Sequence, residues 1–393
     1  MIIKKVGARS ILDSRGKPTI EVFLQTDSGY FSTSAPSGKS KGEYEKKPYS
    51  KNLNSDIKYF NNLDVDILNK LNVTHFNDLK KIERLVKNNI GANSLFCFEA
   101  TILKALAKEK KLELWEYIRK SRKNIVFPRP VGNAIGGGVH SKGVGGEKPD
   151  FQEFLFIPKG ESFFESVKIN SLSYKLVNDI IKSVSINDEG AYETYLDNEE
   201  TLKVMRRVSN FLKNTYNYHV DIGIDVAASI FYKNSRYVYK NLPKKLNKIE
   251  QVHYINSLIN KYRIFYIEDP LEENDFIDFR KLKNIVENSL IVGDDLTTTN
   301  PIRLKKAIRM HSISGIIVKP NQIGSLLKVK EVIDLAKSNH IKTIISHRSG
   351  ETLDDTIADL AIAFNCDFIK TGINGKVREA KLRRLIDIER ELL

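Results

Sequence analysis

Two hydrophobic textures follow one another along the chain. In the first, positions 18–25 (PTIEVFLQ) alternate apolar and polar, Asp27-Ser28-Gly29 supplies a turn, and YFSTSAP follows. That pattern predicts a β-hairpin. Positions 52–90 are rich in lysine and asparagine, with apolar residues at helical spacing. Positions 94–119 predict one long amphipathic helix, with a break near Lys111 compatible with the pattern. Strands followed by helices predict a small α+β domain.

From Pro128 the texture changes. Short apolar runs each end in a charged or polar residue: VDIGID at Asp225, RIFYIED with Glu268, SLIVGDD with Asp294, SGIIVK at Lys319, KTIISHRS with His347, and DFIK at Lys370. Their successive spacings are 43, 26, 25, 28 and 23 residues. All but the first fit one strand, one helix and two short loops, as parallel strands joined by crossovers require. Residues 126–393 number 268, close to the ~250 typical of a TIM-type barrel. The Phe127-Pro128-Arg129-Pro130 stretch is the expected boundary. This divides the chain into an N-terminal α+β capping domain, 1–126, and a catalytic α/β barrel, 127–393.

In a parallel barrel the C-terminal strand ends converge on one mouth, where active sites are built. Here they deliver Asp225, Glu268 and Asp294. Three carboxylates aimed at one spot repel one another, and a divalent cation removes the conflict. Oxygen-only ligation suits Mg²⁺. The alternative for each carboxylate taken alone is a helix cap or a lysine pair. Later strands deliver Lys319, His347-Arg348-Ser349 and Lys370. A lysine beside a bound cation tends towards the neutral, basic amine. The planar fork of Arg348 suits phosphate. Glu153 and Glu189 lie earlier, and a carboxylate pair opposite a lysine base would supply the acid for a leaving group.

Composition narrows the picture. Hydrophobic residues at 41% and charged residues at 28% exclude disordered and low-complexity classes, and no apolar stretch has the length of a membrane span. Cys97 and Cys366 cannot build a disulfide framework, and MIIKKVGARS lacks a signal-type apolar region, so a cytoplasmic location is expected. The charge is 63 − 49 = +14. The lysines are spread along the chain, so a solvated basic surface is expected, with no nucleic-acid partner and no membrane partner.

The motifs resemble the enolase family, phosphopyruvate hydratases, in its archaeal branch. ARSILDSRGKPTIEV, PSGKSKGEYE, IGANS, GGGVH, QEFLFIP, NDEG, DVAAS, IEDPL, VGDDLTTTNP, VKPNQIG, SHRSGET with IADLA, and IKTG follow in the family's order from end to end. The resemblance implies a barrel that opens β-β-α-α before regular β/α units, which agrees with the long gap before Asp225. It implies reversible dehydration of 2-phosphoglycerate to phosphoenolpyruvate, in glycolysis and gluconeogenesis, with two Mg²⁺ per site. The implied roles are Asp225, Glu268 and Asp294 on the first Mg²⁺, and Ser40 on a second. Lys319 would be the base, Glu189 the acid, and Glu153 its helper. Lys370 would stabilise the carboxylate charge, and Arg348 and Ser349 would hold the phosphate. His140 and His347 would line the site, and Gln152 would support the first metal shell. A homodimer is also implied, with Arg9 facing Glu379 across it.

The chain departs from the family pattern in places. SGKSKG puts Lys39 and Lys41 beside Ser40, where they either oppose the second metal, attract phosphate or point to solvent. The position facing Glu21 across the implied dimer is Asp387, of the wrong sign. Two other functions remain open at this point: another lyase of the enolase superfamily, and a non-catalytic or weakened homologue that acts as a basic binding protein.

Overall fold

The computed structural model of the chain describes residues 1–39 and 42–393. The expected hairpin is β2 (Pro18–Thr26) with β3 (Gly29–Ser34). A further strand, β1 (Ile3–Leu12), pairs antiparallel with β2 and completes a three-stranded sheet. Three short helices follow, α1 (Leu53–Asn61), α2 (Val65–Lys70) and α3 (Leu79–Val86). The long helix expected over 94–119 is two, α4 (Ala92–Glu109) and α5 (Leu114–Arg119). Lys111 takes a left-handed φ of 56° between them, and Glu113 and Glu116 form a capping box that restarts the helix. The nearly all-buried α4 packs on β2 and β3, the apolar surface that makes this segment fold.

The barrel elements are β4 (Arg129–Gly136), β5 (Glu153–Lys159), α6 (Phe163–Ile181), α7 (Asn198–Tyr216) and β6 (His219–Asp225). A small hairpin of β7 (Tyr232–Lys233) and β8 (Arg236–Tyr237) leads to α8 (Lys248–Tyr262). Then come β9 (Tyr266–Glu268), α9 (Phe276–Ile285), β10 (Leu290–Gly293), α10 (Pro301–Arg309) and β11 (Gly315–Val318). The chain ends with α11 (Pro320–Ile323), α12 (Leu326–Ser338), β12 (Lys342–Ser346), α13 (Thr356–Ala363), β13 (Phe368–Lys370) and α14 (Lys376–Leu392). Eight strands, β4, β5, β6 and β9 to β13, close into a barrel in chain order, with β13 returning to β4. This is the TIM-type barrel with a β-β-α-α opening, and the small antiparallel sheet domain precedes it.

One strand breaks the parallel rule. β5 runs antiparallel to both β4 and β6, because no helix separates it from β4. Its first residue therefore lies at the end where the other strands finish. Inside the barrel, Val131, Leu155, Ile157, Tyr266, Val292, Ile317, Ile344 and Phe368 fill the lower layers. Caps fix the helix starts that flank it: Asp197 with Glu200 for α7, Asn247 with Glu250 for α8, Ser325 for α12.

The N-terminal segment is docked on the barrel mouth. Asn321 donates to the Pro36 carbonyl (3.0 Å), and Leu326 N donates to the buried Glu99. Arg9 and Glu21 sit opposite each other on β1 and β2 and pair within the chain. Glu379 pairs with Arg383 (3.0 Å), and Asp387 lies 3.7 Å from Arg390. All four residues expected to reach across a dimer thus have partners inside this chain. Among the described residues no helix is long and apolar enough to cross a membrane.

Candidate active site

Sheet register builds the first layer of the site. Glu153 on β5 lies opposite Asp225 on β6, and Asp225 lies opposite Glu268 on β9. Three carboxylates therefore stand side by side at one level of three adjoining strands. Lys370, the last residue of β13, reaches this row from across the barrel. Its Nζ lies 2.7 Å from Glu268, 2.8 Å from Glu153 and 3.4 Å from Asp225. All four are buried. Burial would favour the neutral amine, but the carboxylates outweigh it and hold Lys370 well above the usual lysine range. Burial and Asp225 together push Glu268 well up, and burial also raises Asp225 against the pull of Lys370. Beneath this row, Tyr266 donates its hydroxyl to Glu268 Oε2 (2.7 Å).

Asp294, just past β10, is bonded by Lys319, just past β11. Lys319 is pulled in two directions. Burial lowers it, yet Asp294 more than compensates, so the amine is held protonated.

His140 ends a short turn, Gly138–His140, after β4. A Cβ on the neighbouring Gly137 would meet the Phe151 carbonyl oxygen at 2.3 Å, so only glycine lets the loop pack this closely. The His140 Nδ1 lies 3.3 Å from Glu189 and 3.7 Å from Glu153. Glu189 is aimed by the NDEG turn: Asn187 accepts from the N–H groups of Glu189 (2.9 Å) and Ala191 (3.0 Å). Burial opposes charge on His140, but Glu189 and Glu153 push it up to about 10. Burial likewise opposes charge on Glu189, but His140 holds it well below the usual carboxylate range. The cluster thus favours a protonated ring on His140 beside an ionised Glu189.

His347 is the opposite case. Burial and then Arg378 push its pKa well down, so it is neutral. Arg378 donates to its Nδ1, which leaves Nε2 as the ring N–H. The same buried guanidinium donates to the carbonyls of Arg348 and Ser349, both at 2.7 Å, and locks that loop.

Arg348 faces the site with Nη2 3.0 Å from both oxygens of Glu45. Ser349 Oγ accepts from Lys39 N (2.8 Å) and Arg15 (3.2 Å). The Lys39 ammonium turns to Asp188 at 3.7 Å. Ser40 and Lys41 lie outside the described residues. Gln152 donates to Asp225 (3.2 Å). Together these groups leave a cavity of about 40 Å³, lined by Gly38, Lys39, Glu45, His140, Glu189, Asp225, Asp294, Lys319, Arg348 and Lys370 among others.

Buried oxygens without partners test the site for a cation. Among the described residues Glu268 Oε1 and Asp294 Oδ1 are both buried and accept no hydrogen bond. Two such orphans beside Asp225 form an all-oxygen donor set that fits a hard divalent ion. The tightest groupings are different, however. Ligand atoms within 4.8 Å of one another occur in His140–Glu153–Glu189 and in Asp269–Asp294–Asp295. Among the described residues Asp225, Glu268 and Asp294 do not form such a grouping; Lys319 pairs with Asp294, and Lys370 with Asp225 and Glu268. Sequence reasoning missed Asp269, Glu45, Arg378 and Tyr266. The acidic doublets Glu268-Asp269 and Asp294-Asp295 were the available signal for the first. Asp269 accepts from the N–H groups of Asp294 (2.9 Å) and Asp295 (2.6 Å), so its position near the site is explained by shaping that turn.

Comparison with known proteins agrees with this geometry. The family model for the enolase C-terminal TIM barrel domain matches residues 124–393, and that for the enolase N-terminal domain matches residues 3–118. The chain belongs to the enolase family. It is 34% identical over 400 residues to an enolase of Thermoplasma acidophilum, covering 98% of each chain. An enolase of Picrophilus torridus is 35% identical, over 100% of this chain and 99% of its own. One of Methanocorpusculum labreanum is 38% identical, over 98% of each. The family places the chain among lyases of archaeal enolase type.

Proposed function

We propose that this enolase-family chain catalyses the reversible, Mg²⁺-dependent dehydration of 2-phosphoglycerate to phosphoenolpyruvate. One observation carries the reading: a lysine amine, Lys319, and a proton-holding cluster, His140–Glu189–Glu153, line the same cavity as Asp225, Asp294 and Arg348. A C2 proton on one side and a C3 hydroxyl on the other are what those groups can serve.

Asp225, Glu268 and Asp294 would hold one Mg²⁺ and Ser40 a second. Bound there, the cations would draw Asp294 off Lys319, so that its amine can lose a proton, and would stabilise the doubly negative enediolate formed from the substrate carboxylate. Lys319 takes the C2 proton. Lys370, held cationic by its carboxylates, lies where negative charge builds on the substrate carboxylate. The C3–O bond then breaks, and the departing hydroxide takes the proton kept by His140 and Glu189, with Glu153 orienting the pair. His347, neutral and fixed by Arg378, offers its Nε2 N–H without adding charge. Arg348 and Ser349 bind the phosphate once Glu45 gives up the guanidinium, since 40 Å³ holds only a few waters.

The pathway role is glycolysis and gluconeogenesis. Two buried free cysteines suit a reducing cytoplasm, and the family resemblance supports a homodimer or a larger assembly. The test is absorbance at 240 nm with 2-phosphoglycerate, with Mg²⁺ and with EDTA, together with exchange of the C2 proton in D₂O. Lys319→Ala should stop exchange; Glu189→Gln should slow dehydration and keep some exchange. Full turnover in EDTA, or equal loss of exchange in both variants, overturns this assignment.

A further inference from the structure

A second cavity lies at the foot of the barrel, not at its mouth. It measures about 700 Å³ and opens between the ends of α7 and α8 and the starts of β6, β9 and β10. β6 begins there with His219 and ends at the active site with Asp225, six residues or about 20 Å away. The enolase reaction uses none of these residues.

Its charge is unbalanced. Arg206 on α7 is half-buried, and the exposed Arg263 caps α8 in a left-handed conformation (φ 49°) that turns the chain into β9. Among the described residues neither guanidinium makes an ion pair or a side-chain hydrogen bond. The acid nearest to hand, Asp221, is already engaged by Arg129 (2.8 Å) and His219 (3.1 Å). Burial and then Arg263 lower the pKa of Arg206, as expected for two like charges facing one space. Lys213 adds a third cation to the lining, and the exposed Glu287 at the rim pairs with none of them. Two unpaired forks in one cavity match an anion with several acceptor oxygens.

The remaining walls set the rest of the ligand. Ile259, Ile285 and Val286 give an apolar side, and Asn210, Asn260 and Asn288 give amide donors and acceptors. The volume is in the range of pockets for small organic ligands and far exceeds a bare phosphate. We propose that this cleft at the foot of the barrel binds an organic phosphate of nucleotide size, its phosphates between Arg206 and Arg263 and its ring against Ile259 and Val286.

Titration calorimetry of the full chain with ADP, in EDTA and 0.1 M salt, tests this. ADP should bind with submillimolar Kd and at least tenfold more tightly than inorganic phosphate. The Arg206→Gln/Arg263→Gln double variant should weaken ADP tenfold or more, and its turnover of 2-phosphoglycerate should match the parent chain. The same variant distinguishes this cleft from the active site, whose Arg348 it leaves intact, and the binding result stands whatever the turnover assay gives. No heat with 1 mM ADP, equal affinity for ADP and phosphate, or unchanged ADP affinity in the double variant would overturn the proposal. So would binding of a short single-stranded RNA through these arginines with no binding of ADP.

Discussion

Replacing Lys370 with methionine removes one cation from among three buried carboxylates. Nζ–O distances of 2.7, 2.8 and 3.4 Å correspond to roughly 5–6 kcal/mol of gross attraction per pair at an effective dielectric of about 20. Most of that is offset by the cost of burying the charges. Removing one partner of such a pair exposes the remainder, about 3–5 kcal/mol. With about 2.1 cal/mol/K of unfolding entropy per residue, 393 residues give about 0.8 kcal/mol/K, so the Tm should fall by about 4–6 °C in EDTA. Calorimetry of both proteins in EDTA and in 10 mM Mg²⁺ measures this. Mg²⁺ should close more than half of the gap, because a cation on Asp225 and Glu268 takes over the neutralisation that Lys370 supplied. A drop of less than 1 °C in EDTA would show that the carboxylates do not depend on Lys370. A gap unchanged by Mg²⁺ would show that these oxygens are not the cation site.

Three further outcomes are expected. Arg348→Lys should raise KM for 2-phosphoglycerate tenfold or more with the fold intact, because a point charge replaces a planar fork; an unchanged KM would remove Arg348 from phosphate binding. His140 has its folded pKa raised to about 10, above the unfolded value near 6.5, so the stability it adds is complete below pH 6.5 and is lost as pH rises towards 10. The Tm difference between the parent chain and His140→Gln should therefore shrink from pH 6.5 to pH 10, and a difference that grew over this range would contradict the ion pair. Lys39→Ala should change the half-saturating Mg²⁺ concentration less than threefold, since a part-exposed pair 3.7 Å from Asp188 is worth only about 0–1 kcal/mol; a tenfold lower Mg²⁺ requirement would mean that Lys39 opposes the second metal.

Strand ends were legible because barrel chemistry is written locally. An apolar run that stops at a carboxylate or a lysine marks both a strand and the residue at its mouth, and Asp225, Glu268 and Lys370 end β6, β9 and β13 as the spacing required. The hairpin at Asp27-Ser28-Gly29 was equally local, since turn chemistry and alternation are properties of neighbouring residues. Glu153 was different. Its place beside Asp225 follows from β5 running against its neighbours, a matter of register that brings together residues 225 − 153 = 72 positions apart. Charge states were also beyond the sequence. Lys319 paired to Asp294, His140 protonated between two glutamates and His347 neutral against Arg378 all arise from partners distant in sequence, within a few ångströms inside a low-dielectric site. Residue types and their order along the chain determined which chemistry was present. Only the closed barrel decided who faces whom, because the interaction between two charges depends on their distance and their burial, and neither is carried by position in the chain.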